Sequence, residues 1–153
     1  MIIKMLEETI LMSIKPKYAD QIISGDKRVE LRRRRPIRIR KGTIVLLYVS
    51  GPVQSITGAF WVDSIVEKPT GQLWELVKDT ASVTRDEFDK YFTGALLGVG
   101  IFFSKFILFP EPILLHTFNK TNIPFHPPQS FRYISIEELN SSSPAVVQLL
   151  SKM

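Results

Sequence analysis

The seven residues Thr43-Ile44-Val45-Leu46-Leu47-Tyr48-Val49 carry no charge and no break. Gly42 precedes them and Ser50-Gly51-Pro52 follows. An apolar run of this length between turn residues reads as a central strand covered on both faces. The rest of the chain must therefore supply layers for both sides of it.

The flanking sequence reads as short strands and short helices. Ile10 to Ile14 is a short buried strand, and Lys15-Pro16 opens a helix, because proline in a first turn has no intrahelical hydrogen bond to lose. Tyr18, Ala19, Ile22 and Ile23 form its core stripe, and Gly25 is placed to take the left-handed conformation that ends it. Val29 and Leu31 alternate with Arg28, Glu30 and Arg32, the period of a half-buried strand. On that period Glu30 and Arg32 share a face with Arg28 beside them, and Lys27 falls on the other unless the helix-to-strand junction rotates it. Ile37 and Ile39 continue the alternation beyond Pro36.

After the central strand, Ser55 to Glu67 reads as one long strand with a bulge or bend at Gly58. Leu73, Trp74 and Val77 suggest a short helix. Thr84 and Glu87 form a capping box for a second one, which Gly94 terminates. Ala95 to Phe109 reads as one or two strands bent at glycine and ended by Pro110-Glu111-Pro112. A proline-fixed loop from Asn119 to Pro128 leads to a last strand, Phe131 to Ile134. Ser135 could cap a short turn, and Ser143-Pro144 starts a final helix. The expected fold is mixed α/β: a small β-barrel with peripheral short helices, in a single domain over residues 1–153. Its core covers about 10–134 and its C-terminal helix about 144–152.

Charge is distributed very unevenly. From Asp26 to Lys41 there are nine basic and two acidic residues, a local net charge of +7, against +5 for the whole chain. Everything outside this stretch is therefore slightly acidic. Seven of the nine cations are arginines, whose planar forks suit bidentate contact with phosphate or a base edge. The strip predicts a polyanionic partner, RNA or a nucleotide-like ligand first. A solvated basic face, or a surface for an acidic protein, is the bland alternative.

Other classes are disfavoured. No apolar run approaches the ~18 residues of a membrane span, and the first residues lack a signal-type apolar core. Cysteine is absent and there are only two histidines, His116 and His126, so neither a disulfide framework nor a metal site is expected. No nucleotide-cofactor loop is present, and no cofactor is expected. A cytoplasmic location is expected.

The segment from Ile14 to Arg32 resembles the opening of the ASCH family, a branch of the PUA-like superfamily. The signature G-x-K-x-x-E-x-R is complete as Gly25, Lys27, Glu30 and Arg32. The strand before it, the Lys-Pro helix start and the Leu47 to Ser50 strand end fit the same pattern. Pro127 to Tyr133 resembles the tail of ASCH proteins described as transcriptional regulators. The resemblance implies a PUA-like β-barrel with outer helices, a cleft lined by the signature residues, and binding of RNA or a nucleotide-like ligand. Some small relatives hydrolyse an N4-acylated cytidine, using a Thr three residues after the signature Lys; here that position is Glu30. Others are ribonucleases.

The candidate ligand-binding residues are Lys15, Lys27, Glu30, Arg32, Arg33, Arg34, Arg35, Arg38, Tyr48, Ser50, Gln129 and Arg132. Lys27 can meet a phosphate or base oxygen, and Glu30 can accept from a base amino group. Tyr48 can stack on a base. Gln129 and Arg132 follow prolines and can reach base edges. If the protein is an enzyme, Lys27 and Glu30 carry charge stabilisation and proton transfer.

Overall fold

The computed structural model describes residues 8–118 and 130–153. Its strands are β1 (Ile10–Ile14), β2 (Val29–Arg32), β3 (Ile44–Val49), β4 (Ser55–Trp61), β5 (Ser64–Pro69), β6 (Leu97–Phe102), β7 (Phe106–Leu114) and β8 (Phe131–Tyr133). Its helices are α1 (Pro16–Ser24), α2 (Thr70–Val77), α3 (Arg85–Tyr91), α4 (Leu115–Phe118), α5 (Ile136–Ser142) and α6 (Pro144–Ser151). Five strands form one sheet in the order β7-β4-β3-β1-β8, and three form a second in the order β2-β6-β5. The fold is thus mixed α/β.

β3 is the centre of the larger sheet, parallel to β1 and antiparallel to β4. Every one of its residues is buried, as the unbroken apolar run requires. Val45, Leu47 and Val49 join Ile10, Met12 and Phe60 in a core facing Val99 and Ile101 of the smaller sheet, with Ala19 and Ile22 of α1 beside them. Ile44, Leu46 and Tyr48 point the other way, onto Leu139, Val146 and Leu150 of α5 and α6. Each such side chain contributes roughly 1.5–3 kcal/mol on full burial. A third cluster packs Val29 and Leu31 against Leu73 and Val77 of α2, Phe88 of α3 and Phe92 just after it. No helix of the described residues is long and apolar enough to cross a membrane.

The two sheets share one core because the chain passes between them four times, twice at tight corners between consecutive strands. The expected long strand from Ser55 to Glu67 is two strands: β4 ends in the larger sheet, and after Val62 and Asp63 the chain enters β5 in the smaller one. Val62 N–H donates to Thr43 C=O at 3.0 Å and Asp63 N–H to Phe102 C=O at 2.8 Å, so this corner stitches both sheets. The second corner joins β6 to β7 after Phe102, beyond the glycines at which the bend is expected. Gly98 instead lies inside β6, where a Cβ would meet Leu73 and Phe92 side chains at 2.7 Å. It is there for close helix–sheet packing. The register shift next to Gly58 agrees with the expected bulge.

Two further expectations change. β7 runs through Pro110 and Pro112 to Leu114 instead of stopping at them. It is the sheet's edge, and its pairing with β4 skips from Leu108 to Ile113, so neither proline is asked for a ladder hydrogen bond. Residues 33–43 form turns and bends, not a continued strand. Ile39 plugs the inter-sheet core at 2% exposure while Ile37 is 94% exposed.

Candidate functional site

The sequence around the signature folds as a helix stop followed by a pinned junction. Gly25 takes φ +87° and its N–H donates to Ile22 C=O, ending α1. Lys27 N–H then donates to Gln21 C=O at 3.0 Å, Arg28 N–H to Thr80 C=O at 2.8 Å, and Phe103 N–H to Arg28 C=O at 3.1 Å. β2 begins only at Val29, so the junction and not strand parity sets the direction of Lys27. In β2, Glu30 pairs with Ile101 and Arg32 with Val99. Both partners belong to the inter-sheet core, so Glu30 and Arg32 project between the sheets.

There they line a cleft of about 520 Å³ between the end of β1 and the start of α1 on one side and β2 with α3 on the other. That is the size range of small-ligand sites. Lys27, 2% exposed, donates from Nζ to Ala81 C=O at 2.6 Å and lies 5.2 Å from the Tyr18 ring centroid. Burial pushes its pKa down; Glu30 opposes that and Arg32 reinforces it. Glu30, 6% exposed, accepts from Leu31 N–H at Oε1, 3.1 Å away. Arg32 Nε sits 3.9 Å from the same oxygen, too long for a hydrogen bond. Among the described residues Glu30 Oε2 and Arg32 Nε have no hydrogen-bond partner. Arg32 is held from its other nitrogens, which donate to Ser13 C=O at 2.8 Å and to Ser130 Oγ at 3.4 Å.

Aromatic and acidic groups complete the walls. Tyr18 OH donates to Glu87 Oε2 at 3.3 Å, and Lys17 Nζ reaches the same oxygen at 2.9 Å. The Lys17 bond, with the backbone hydrogen bond from Thr84, holds the Glu87 pKa at about 2. Phe88 and Tyr91 of α3 line the cleft beside Glu87. Burial pushes the Tyr91 phenol upward. The site thus offers a buried cation in Lys27, a half-buried one in Arg32, a carboxylate with spare acceptor capacity and aromatic surface. It can hold a planar ligand that carries both an anionic group and a hydrogen-bond donor. Among the described residues no cluster of His, Cys, Asp and Glu suitable for a metal is present.

Of the sequence candidates, Lys15, Lys27, Glu30, Arg32 and Ser50 meet at this cleft. The other described candidates lie elsewhere. Arg33 donates to Tyr91 C=O and Thr93 C=O, at 3.0 and 2.9 Å, closing the C-terminal end of α3. Arg34 and Arg35 are exposed on the loop after β2. The Arg38 guanidinium lies 3.7 Å from the Tyr133 ring centroid. Tyr48 is 4% exposed in the cluster beneath α5 and α6, on the sheet face away from the cleft, because six consecutive strand residues must serve two cores. Arg132 makes an ion pair with Glu138 at 2.8 Å. Gln129 lies outside the described residues. The cleft residues not foreseen are Ser13, Tyr18, Glu87, Tyr91 and Ser130. Tyr18 reads as core stripe and Glu87 as a cap, each of which is also true, so their second role left no separate signal.

Residues 12–99 match the ASCH domain family. The chain is 30% identical over 132 residues to an ASCH domain-containing ribonuclease of Zymomonas mobilis, covering 84% of this chain and 85% of that protein. It superposes on the crystal structure of ASCH from Zymomonas mobilis with a TM-score of 0.80 at 27% identity, over 88% of this chain and 93% of that one. The N-terminal domain of Staphylothermus marinus McrB shares the fold at a TM-score of 0.58 and 13% identity, over 88% of this chain and 92% of that domain. The matched segment contains the helix stop, the pinned junction and all four signature residues, and on that ground the chain belongs to the ASCH domain family, within the PUA-like fold.

Proposed function

We propose that this protein binds single-stranded RNA by taking one nucleotide into the cleft. The observation that carries the reading is the set of buried Lys27 and Glu30 and half-buried Arg32 around a nucleotide-sized opening. Lys27 and Arg32 meet the phosphate, Glu30 accepts from the base amino group, and Tyr18 and Tyr91 flank the base. The similarity to a ribonuclease supports RNA as the polymer. Within this reading the protein works in the cytoplasm and needs no cofactor for binding.

The test is titration of a short labelled RNA with wild type, Lys27→Ala and Arg32→Ala. Each substitution removes a charge-assisted contact and should weaken binding about tenfold or more. Equal affinity in all three proteins would sink the reading.

Cleavage in the same cleft is a second reading, favoured by the unpartnered Glu30 Oε2 facing it and by the named activity of the relative. The ribose 2′-hydroxyl would attack the adjacent phosphorus, forming a cyclic phosphate and breaking the bond to the 5′-oxygen. Glu30 Oε2, without a hydrogen-bond partner among the described residues, would accept the hydroxyl proton, Lys27 and Arg32 would balance charge on the phosphoryl oxygens, and water would protonate the leaving oxygen. Substrate with a 2′-deoxy sugar at the reacting position should bind and remain intact. No feature of the site favours deacylation of a cytidine, since the residue three after Lys27 is the carboxylate Glu30 and not a hydroxyl.

A further inference from the structure

The loop that leaves the cleft at Arg32 runs beside the edge strand β8, and two contacts tie them together. Arg32 donates to Ser130 Oγ at 3.4 Å at the cleft end. At the far end Arg38 N–H donates to Tyr133 OH at 2.8 Å, and the Arg38 guanidinium sits over the Tyr133 ring at 3.7 Å. Ser130 and Tyr133 are three residues apart, ~10 Å at strand rise, a distance a short run of single strand covers. Tyr133 and Phe131 pack on the inter-sheet side, the side on which the cleft lies. Between the two ties, Arg34 and Arg35 are exposed, while buried Pro36 anchors the loop.

We infer that the stacked Arg38–Tyr133 pair is a second nucleotide subsite, on which the base next to the one in the cleft stacks. This rests on the proposed binding of RNA and extends it outward along β8. A guanidinium lying over a ring keeps its outer face open as a plane, and bases stack on such planes regardless of sequence. The neighbouring Arg34 and Arg35 neutralise the phosphates of that nucleotide and of the one beyond. The basic residues of the strip thus divide by use: Arg33 closes α3, Arg40 pairs with Glu8, Arg38 stacks on Tyr133, and Arg34 and Arg35 are exposed.

The experiment compares cytidine monophosphate with a tetranucleotide RNA on wild type, Arg38→Ala, Arg38→Lys and Tyr133→Phe. Wild type should gain at least tenfold in affinity from the longer ligand. Arg38→Ala should lose that gain and leave mononucleotide affinity unchanged. Arg38→Lys keeps the charge but not the plane, so it should also lose most of the gain while keeping the salt dependence. Tyr133→Phe keeps the ring and loses the tie to the loop, and should fall between. Equal mono- and tetranucleotide affinity in wild type, or Arg38→Lys matching wild type, overturns the subsite and leaves the cleft reading standing. Binding of neither ligand by wild type overturns both.

Discussion

The ammonium of Lys27 donates to the carbonyl of Ala81 at 2.6 Å, across 54 residues of sequence, with the lysine almost wholly buried. The bond ties the signature segment to the chain just before α3, and so sets the width of the cleft. It also keeps a cation where burial disfavours one.

The pH dependence of stability follows from that. An unfolded chain holds the Lys27 proton up to the ordinary lysine value of 10.5, while the folded chain releases it earlier. Between those points the unfolded state binds more protons, so Lys27 makes stability rise with pH. Lys27→Met should remove this rise. Tyr18 and Tyr91, whose pKa values burial raises, act in the opposite direction above about 10, but they do so in both proteins. The difference in melting temperature between wild type and Lys27→Met, followed from pH 7 upward (a range near ~10.5 suffices), isolates the lysine. A difference that does not change with pH would show that Lys27 feels no net burial cost.

Glu87 gives the opposite limb. Its folded pKa is about 2 against an ordinary 4.5, so its stabilisation is complete above 4.5 and disappears as pH falls toward 2. Glu87→Gln should flatten the acid limb in that window. It should also cost about 1 kcal/mol at neutral pH through the weakened cap on α3. Because Lys17 is well exposed, added salt should shrink the wild-type acid limb. Thermal melts from pH 2 to 7 at two salt concentrations (spanning about a Debye length of 10 Å) check both statements.

The arginine run separates structural from binding charge. Arg33→Ala removes the donors to Tyr91 C=O and Thr93 C=O and should lower stability by about 1 kcal/mol. Replacing Arg34 and Arg35 with Gln should leave the melting temperature alone. It should reduce the salt slope of RNA binding by roughly 0.7 for each phosphate that is no longer neutralised. Finding the slope unchanged would make Arg34 and Arg35 a solvated face.

Local rules explain why part of the fold is readable in the sequence. The Lys15-Pro16 helix start, the Gly25 stop, the Thr84–Glu87 capping box and the two-sided burial of β3 depend on neighbours a few residues away, and all are present, while the short turn expected after Ser135 is a seven-residue helix. Sheet changes depend on distant partners. Nothing between Ser55 and Glu67 distinguishes one bent strand from two strands in different sheets, because both sheets demand the same β-branched and aromatic residues. The arginine run reads as uniform charge, yet its members diverge according to which element packs beside each. The cleft shows the same division. Glu30 and Arg32 follow from strand parity, whereas Lys27 enters through a junction held by Gln21, Thr80 and Phe103. Tyr18 and Glu87 arrive on helices whose docking the local pattern does not encode.

Glu30 gives the sharpest test of the binding reading. Its Oε1 already accepts from Leu31 N–H, and Arg32 Nε stands 3.9 Å away without a hydrogen bond to it. A carboxylate has about four acceptor positions, so one backbone donor leaves capacity that a ligand amino group can use. Glu30→Gln keeps the shape and the Leu31 contact through its amide oxygen, but loses the charge and half the acceptor capacity. If Glu30 reads the base, the preference for cytidine and adenosine nucleotides over uridine should narrow by about 1–3 kcal/mol. The melting temperature should move little, because Arg32 keeps its bonds to Ser13 and Ser130. If Glu30 only balances Lys27 and Arg32, the removal of its charge leaves the buried Lys27 and the half-buried Arg32 without their counter-charge. Stability should then fall by several kcal/mol, with nucleotide preference unchanged. Nucleotide titrations and thermal melts on the same Glu30→Gln protein decide between these outcomes, and a large stability loss with intact preference retires the base-reading role.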